Sequence, residues 1–179
     1  MPGPVIPLIG KATPALHLLV QLAIERILNT GGIVLEFGSG HSTVWFADLG
    51  CDVVSVEPDR DWYYAIRQWL YDRNFKADQR LKPPEQMANV AQTFPDDYFD
   101  LVLVDGYSTY RQNCIQKSKN KVKPLGWMVI DDIQVGQLSQ QANAILQGWH
   151  RTDMWALHTR KDGEVRMHHT SFFRKPKCS

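Results

Sequence analysis

The sequence predicts a three-layer α/β fold: a mostly parallel sheet with helices on both faces, closed by a C-terminal antiparallel hairpin. Three observations carry this. Apolar strand-like runs alternate with helical stretches, and the runs end in acids at Glu36, Glu57, Asp105 and Asp131-Asp132. The first run, Ile33-Val34-Leu35-Glu36-Phe37, passes directly into Gly38-Ser39-Gly40, as a buried parallel strand feeding a helix does. Near the C-terminus, the stretches from Met154 and from Val165 read as two strands joined by Lys161-Asp162-Gly163, a good hairpin turn.

Each element has a local reason. Thr13 caps a helix with Pro14 at its first position, and Leu16, Leu19, Val20, Ala23, Ile24 and Ile27 form its apolar stripe up to Asn29. Gly31-Gly32 ends that helix and the first strand follows. Gly38 and Gly40 let the backbone turn with no Cβ in the way. His41-Ser42-Thr43 then offers polar caps for a helix near 42–49, whose free N–H groups suit a carboxylate. A strand near 52–57 ends at Glu57-Pro58. The helix near 60–72 turns Trp62, Tyr63 and Trp69 to the core, with Trp62 also a candidate wall for an adenosine pocket. A third strand is expected near 88–92, after the loop-like residues 80–85. The strand near 99–104 opens with Asp100, read as a strand-start residue in water, and ends at Asp105. A helix near 107–119, a strand near 126–131 and a helix near 137–149 complete the alternation. Lys117, Lys119, Lys121 and Lys123 read as a wet basic loop, and the chain from Arg174 onward as a frayed tail.

The glycine turn selects among cofactors. A dinucleotide fingerprint needs G-x-G-x-x-G, and here His41-Ser42-Thr43 follows the second glycine. No phosphate-binding G-x-x-x-x-G-K-[ST] occurs anywhere. Glu36 beside the turn repels a pyrophosphate and attracts an ammonium group, so a cofactor with an amine and a carboxylate is favoured. Glu57 lies 21 positions after Glu36, about one strand–helix–strand unit, where an acid grips both hydroxyls of a ribose. Acids at strand ends belong to a site at one edge of the sheet, because interior carboxylates are costly unless paired or bound. His168 and His169 are adjacent on a strand and point to opposite faces, which argues against a joint chelate.

Composition sets the surroundings. The 179 residues fit one domain, 1–179, with little room for an added substrate domain. The formal net charge of +1 gives no indication of nucleic acid. Cys51, Cys114 and Cys178 are scattered and odd in number, which reads as a reducing compartment. The start, MPGPVIPLIG, is broken by prolines and lacks the basic residues of a signal peptide, and no apolar run approaches the roughly 18 residues of a membrane span. The expectation is a cytoplasmic protein with no membrane partner.

With these residues in view, the chain resembles the class I S-adenosylmethionine-dependent methyltransferases over roughly residues 31–133. LEFGSG is similar to their first motif, VSVEPD to their ribose-binding motif, and FDLVLVDG to the central strand beneath the methionine part of the cofactor. The resemblance implies a Rossmann-like methyltransferase fold with S-adenosylmethionine as cofactor. It implies Glu36 near the amino group, Gly38, Ser39, Gly40 and Ser42 around the methionine part, Glu57 on the ribose and Asp105 beneath the cofactor. The adenine position is not readable; residues 87–94 offer only Asn89, Gln92 and Thr93 as polar candidates.

A nearer resemblance is to small-molecule O-methyltransferases of the catechol O-methyltransferase type, which use a divalent metal. It implies Asp105, Asp131 and Asp132 as metal ligands, with Mg2+ as a second cofactor if the metal binds, and Asp105 and Asp131 as catalytic residues. The catechol enzymes continue from their first aspartate with a histidine, an aromatic and a lysine base, whereas this chain has Gly106, Tyr107 and Ser108. Without a metal, Asp105 or His41 would accept the proton. The expected partner is a small-molecule acceptor, through an oxygen or a nitrogen, with a homodimer left open. The alternatives are a nucleic-acid or protein methyltransferase, an NAD-linked oxidoreductase, and a non-catalytic scaffold that has lost its ligand.

Overall fold

A computed structural model describes residues 16–29, 31–159 and 165–177. Five parallel strands lie between helices. In chain order these are α1 (Leu18–Leu28), β1 (Gly32–Phe37), α2 (His41–Asp48), β2 (Cys51–Glu57), α3 (Arg60–Asp72), β3 (Asp78–Leu81), β4 (Phe99–Val104), α4 (Arg111–Ser118), β5 (Val122–Ile130) and α5 (Leu138–Ile145). The long strands β6 (His150–Thr159) and β7 (Val165–Arg174) follow. They form one seven-stranded sheet in the order β3-β2-β1-β4-β5-β7-β6, antiparallel only at β5–β7 and β7–β6. The three-layer α/β expectation, with its closing hairpin, is the architecture observed.

Alternation along the strands builds a core on each face, since successive side chains point to opposite sides of a sheet. Leu35, Phe37, Val102, Val104, Met128 and Ile130 face α4, α5 and residues 84–93. Val34, Val53, Leu101, Leu103 and Val129 face α1, α2 and α3. The hairpin continues both layers, with Phe173 in the first and Phe172 in the second.

Several expectations are corrected. Residues 88–92 are not a strand: Pro84–Thr93 is a 3-10 helix, and the third strand is Asp78–Leu81. An edge strand pairs through its backbone with one neighbour and can stay polar, so its sequence carries no apolar run; Met87, Ala88, Val90 and Ala91 are buried at helical spacing instead. On α1 the buried residues are Val20, Ile24 and Leu28, with Leu19 exposed; Thr13-Pro14 lies outside the described residues. The helix expected near 107–119 is a short 3-10 turn, Ser108–Tyr110, followed by α4, and the last helix ends at Ile145. The hairpin strands are longer than expected, and Lys161-Asp162-Gly163 lies outside the described residues.

Three charged segments do more than meet water. The Asp100 carboxylate accepts the Ile33 N–H at 2.8 Å and pairs with Lys123 at 2.8 Å, joining the starts of β1, β4 and β5. Three lysines of the basic run are paired rather than left to water: besides Lys123, Lys117 donates to Asn89, and Lys121 meets Asp96 at 2.6 Å. Within the segment from Arg174, Arg174 and Lys175 are not frayed. Arg174 ends β7 with its guanidinium over the Trp127 ring, and Lys175 exchanges backbone bonds with Leu125 and Gly126.

Phe173→Ala should lower the unfolding free energy by about 3–5 kcal/mol through loss of burial and the cavity left behind. Leu157→Ala, at a site 70 % exposed, should change it by no more than about 0.5 kcal/mol. Chemical denaturation of both variants checks the contrast.

Candidate functional site

Backbone hydrogen bonds step across the carboxyl edge of the sheet. Gly38 N–H donates to Val56 O, Asp105 N–H to Phe37 O, Asp131 N–H to Val104 O and Ile133 N–H to His169 O. These bonds join the mouths of β2, β1, β4, β5 and β7, so the acids expected from sequence meet along one line.

At the first mouth, Gly38 has φ +99°, a backbone region that favours glycine, and a Cβ there would lie 2.7 Å from Gly106 Cα. Gly40 is different: its backbone is extended, and a Cβ would meet only Ser42 Oγ at 3.7 Å. The turn therefore demands one of the two glycines. Gly40 N–H donates to Thr43 Oγ1 at 2.9 Å, which fixes the start of α2.

Glu36 is wholly buried beneath this turn. Its Oε2 accepts Ser55 Oγ at 2.6 Å and Thr43 Oγ1 at 2.5 Å, while Oε1 has no hydrogen-bond partner among the described residues. Burial pushes the carboxyl up to about 7, against the hydroxyls of Ser42, Ser55 and Thr43, which favour the charged form. Glu57 is buried as well; it accepts Ser39 N–H through Oε2 and Asp59 N–H through Oε1, both at 2.8 Å. Burial also raises it to about 7. Trp62 donates its indole N–H to Ser39 O, so it braces the loop. His41 begins α2 and packs edge-on against Trp69, with ring centroids 4.8 Å apart; burial lowers its pKa.

At the other end, Asp105 follows β4 and Asp131 and Asp132 follow β5. Burial raises Asp105 to about 8; the charge of Asp131 adds to this and Arg111 opposes it. Asp131 is raised by burial too, against a hydrogen bond donated by Thr170 Oγ1. Arg111, buried at the start of α4, donates to Gly106 O at 2.6 Å, Asp131 O at 2.5 Å and Asp105 O at 3.3 Å. Its guanidinium also lies 3.7 Å from Asp105 Oδ1. Asp132 Oδ1 lies 3.1 Å from His168 Nδ1. Among the described residues, donor atoms of Asp131, Asp132 and His168 come within 4.8 Å of one another, a group that excludes Asp105.

His169 turns to the other face, where it meets Asp153 at 2.9 Å and stacks on Trp155, so the two histidines diverge as strand geometry requires. Three residues of the site escaped the sequence reading, and a fourth, His168, was read only as half of a joint chelate with His169 that strand geometry argues against. Ser55 was detectable as a lone polar residue in an apolar strand, paired in register with Glu36. Arg111, Thr170 and His168 reach the site only through tertiary packing, and nothing local marks them.

The sequence model of a family described as methyltransferase domain matches residues 35–133, more than half of the chain. A search of curated proteins finds no match. Among solved structures, the O-methyltransferase TomG from Streptomyces achromogenes, involved in tomaymycin synthesis and complexed with S-adenosylmethionine, superposes with TM-score 0.68 at 16 % identity, covering 88 % of this chain and 78 % of that one. An O-methyltransferase from Bacillus cereus in complex with S-adenosylhomocysteine gives TM-score 0.69 at 14 % identity, covering 90 % and 84 %. A precorrin 8w decarboxylase from Methanobacterium thermoautotrophicum gives 0.65 at 15 % identity, covering 91 % and 92 %. The sheet order, the acid-bearing strand mouths and the family match agree, and the chain belongs to the methyltransferase domain family, with the class I S-adenosylmethionine-dependent fold.

Proposed function

We propose that the protein transfers the methyl group of S-adenosylmethionine to an oxygen of a small molecule. The observation that carries this reading is the buried Oε1 of Glu36 beneath the Gly38 turn, which has no hydrogen-bond partner among the described residues. A buried carboxylate oxygen without a donor is costly, and an ammonium group supplies the missing one. Glu57 keeps a free lone pair on each oxygen after accepting its two backbone bonds, which suits two ribose hydroxyls. Gly38, Ser39, Gly40 and Ser42 border the same turn. When bound, the cofactor supplies an electrophilic methyl group on a positive sulfur.

The chain's own residues then have distinct tasks. The α2 start and the glycine turn hold the cofactor end. Asp105 lies one backbone contact away, at the β4 mouth, and takes the proton of the acceptor hydroxyl. Asp131 orients that hydroxyl. Arg111 positions both by clamping their carbonyls and offsetting their mutual repulsion. His41, packed against Trp69, serves the helix start instead. A Mg2+ held by Asp105, Asp131 and Asp132 fits this arrangement poorly, because Asp105 is engaged by Arg111 and does not converge with the other two. No step here runs through it. The family match, together with the missing third glycine, weighs against an NAD-linked oxidoreductase. Among the described residues no helix is long and apolar enough to cross a membrane.

Calorimetry should show saturable binding of S-adenosylmethionine and S-adenosylhomocysteine and much weaker binding of NAD. Glu57→Ala should weaken cofactor binding by about 1.5–3 kcal/mol; NAD binding alone, or unchanged affinity in the folded variant, would count against the reading. Asp105→Asn should fold and lose about 10²–10⁴-fold in methyl transfer to a panel of phenols and other hydroxyl compounds. Full turnover in that variant would remove its role.

Glu36 gives a pH signature. A carboxyl raised by folding binds its proton more tightly in the native state, so ligand-free stability falls as pH rises from the ordinary 4.5 towards about 7 and levels off above. An ammonium partner favours the carboxylate, so cofactor affinity should strengthen between about pH 6 and 7.5. Glu36→Gln should flatten that gain, as read by titration at each pH; a flat wild-type profile would contradict the assignment.

A further inference from the structure

We propose that Asp131, Asp132 and His168 form a divalent-metal site whose imidazole ligand selects a borderline transition ion, such as Mn2+, Co2+ or Zn2+, over Mg2+. The site borders the acceptor side of the proposed methyl-transfer centre and so deepens that reading, but the binding can be measured without any turnover.

The argument begins with convergence. Consecutive residues at a strand end normally diverge, yet Asp132 adopts φ +47° and its carboxylate joins that of Asp131 on one side. His168 arrives from β7, which runs antiparallel to β5 and extends past its end: Ser171 pairs with Ile130, and the residues before Ser171 overhang the β5 mouth. Donor atoms of all three side chains then lie within 4.8 Å of one another. Asp132 Oδ1 and His168 Nδ1 are 3.1 Å apart. Two donors at right angles on an ion, each about 2.1 Å from it, lie about 3 Å apart, so this pair already has the spacing of neighbouring ligands.

Two further observations bear on an ion. Thr170 donates its hydroxyl to Asp131, the kind of outer hydrogen bond that orients a ligating carboxylate. Electrostatically, Asp131 and Asp132 lie close enough to Asp105 to act on it, and Arg111 is the guanidinium set against these carboxyl groups. Arg111 also explains the composition of the set. Its guanidinium lies 3.7 Å from Asp105 Oδ1 and Asp105 stands outside the converging group, so the third ligand is a nitrogen from the hairpin rather than a third carboxylate. Oxygen-only sets suit Mg2+ and Ca2+, whereas an imidazole moves preference along the transition series.

The test is metal titration of the full chain, free of affinity tag, cofactor and acceptor. Co2+ is followed by its visible absorption, Mn2+ by the loss of its free-ion paramagnetic resonance signal, and Mg2+ by competition. One ion per chain is expected, with Mg2+ displacing Co2+ only at a hundredfold or greater excess. His168→Ala should weaken Co2+ binding tenfold or more and bring Co2+ and Mg2+ affinities together. His168→Asn, a second variant that keeps a polar side chain, should do the same. Thr170→Val should weaken binding about 10–100-fold. Absence of Co2+ and Mn2+ binding would overturn the proposal, as would equal competition by Mg2+ in the wild type or unchanged Co2+ affinity in both folded His168 variants. Cofactor calorimetry on the same samples separates the two readings: cofactor binding without metal binding sinks the metal site alone, and metal binding without cofactor binding sinks the methyl-transfer reading alone.

Discussion

Carboxylate crowding at one edge of the sheet is the constraint around which this molecule is arranged. Glu36, Glu57, Asp105, Asp131 and Asp132 all sit at strand mouths stepped together by backbone bonds. Water would stabilise such charges individually; burial limits its access to four of them and raises their pKa values. The fold answers locally and differently at each position. Hydroxyls meet Glu36, backbone N–H groups meet Glu57, a guanidinium meets Asp105, a threonine meets Asp131 and an imidazole meets Asp132. What those partners leave unsatisfied is the chemistry available to ligands.

The two-sided burial of the parallel strands makes this arrangement affordable. Val34 and Leu35, or Leu103 and Val104, face opposite cores and are fully buried, so the strand ends cannot shift without disturbing both layers. The acids are therefore held in place by apolar packing several residues away from them. The antiparallel hairpin extends the same logic. Phe172 and Phe173 each anchor in one core, and beyond them β7 projects over the β5 mouth with His168 and Thr170 on its inner side.

Legibility in the sequence followed the range of the interactions. The strands ending at Glu36, Glu57, Asp105 and Asp131 were readable because each combines an apolar run with a terminal acid in consecutive residues. The edge strand Asp78–Leu81 was not, since an edge strand needs no apolar face, and the nearby apolar residues 87–91 belong to a 3-10 helix. Gly38 and Gly40 looked equivalent in sequence, yet only Gly38 requires glycine geometry. The role of Arg111 and the pairing of His168 with Asp132 were invisible for a different reason. Arg111 acts on the carbonyl of a residue 20 positions away, and His168 on a carboxylate brought near by the register of β5 with β7. A local pattern encodes neither distance.

The contact between Gly38 and Gly106 has a wider consequence. A Cβ on Gly38 would overlap Gly106 Cα, and one on Gly106 would crowd Phe37 O at 3.1 Å, so the two turns meet as bare backbone. The spacing between the loop under Glu36 and the loop bearing Asp105 is thus a ruler made of main-chain atoms. Side chains elsewhere on either loop can diversify without recalibrating it. The side chains around the two loops can change on this scaffold while the distance between the loops stays constant.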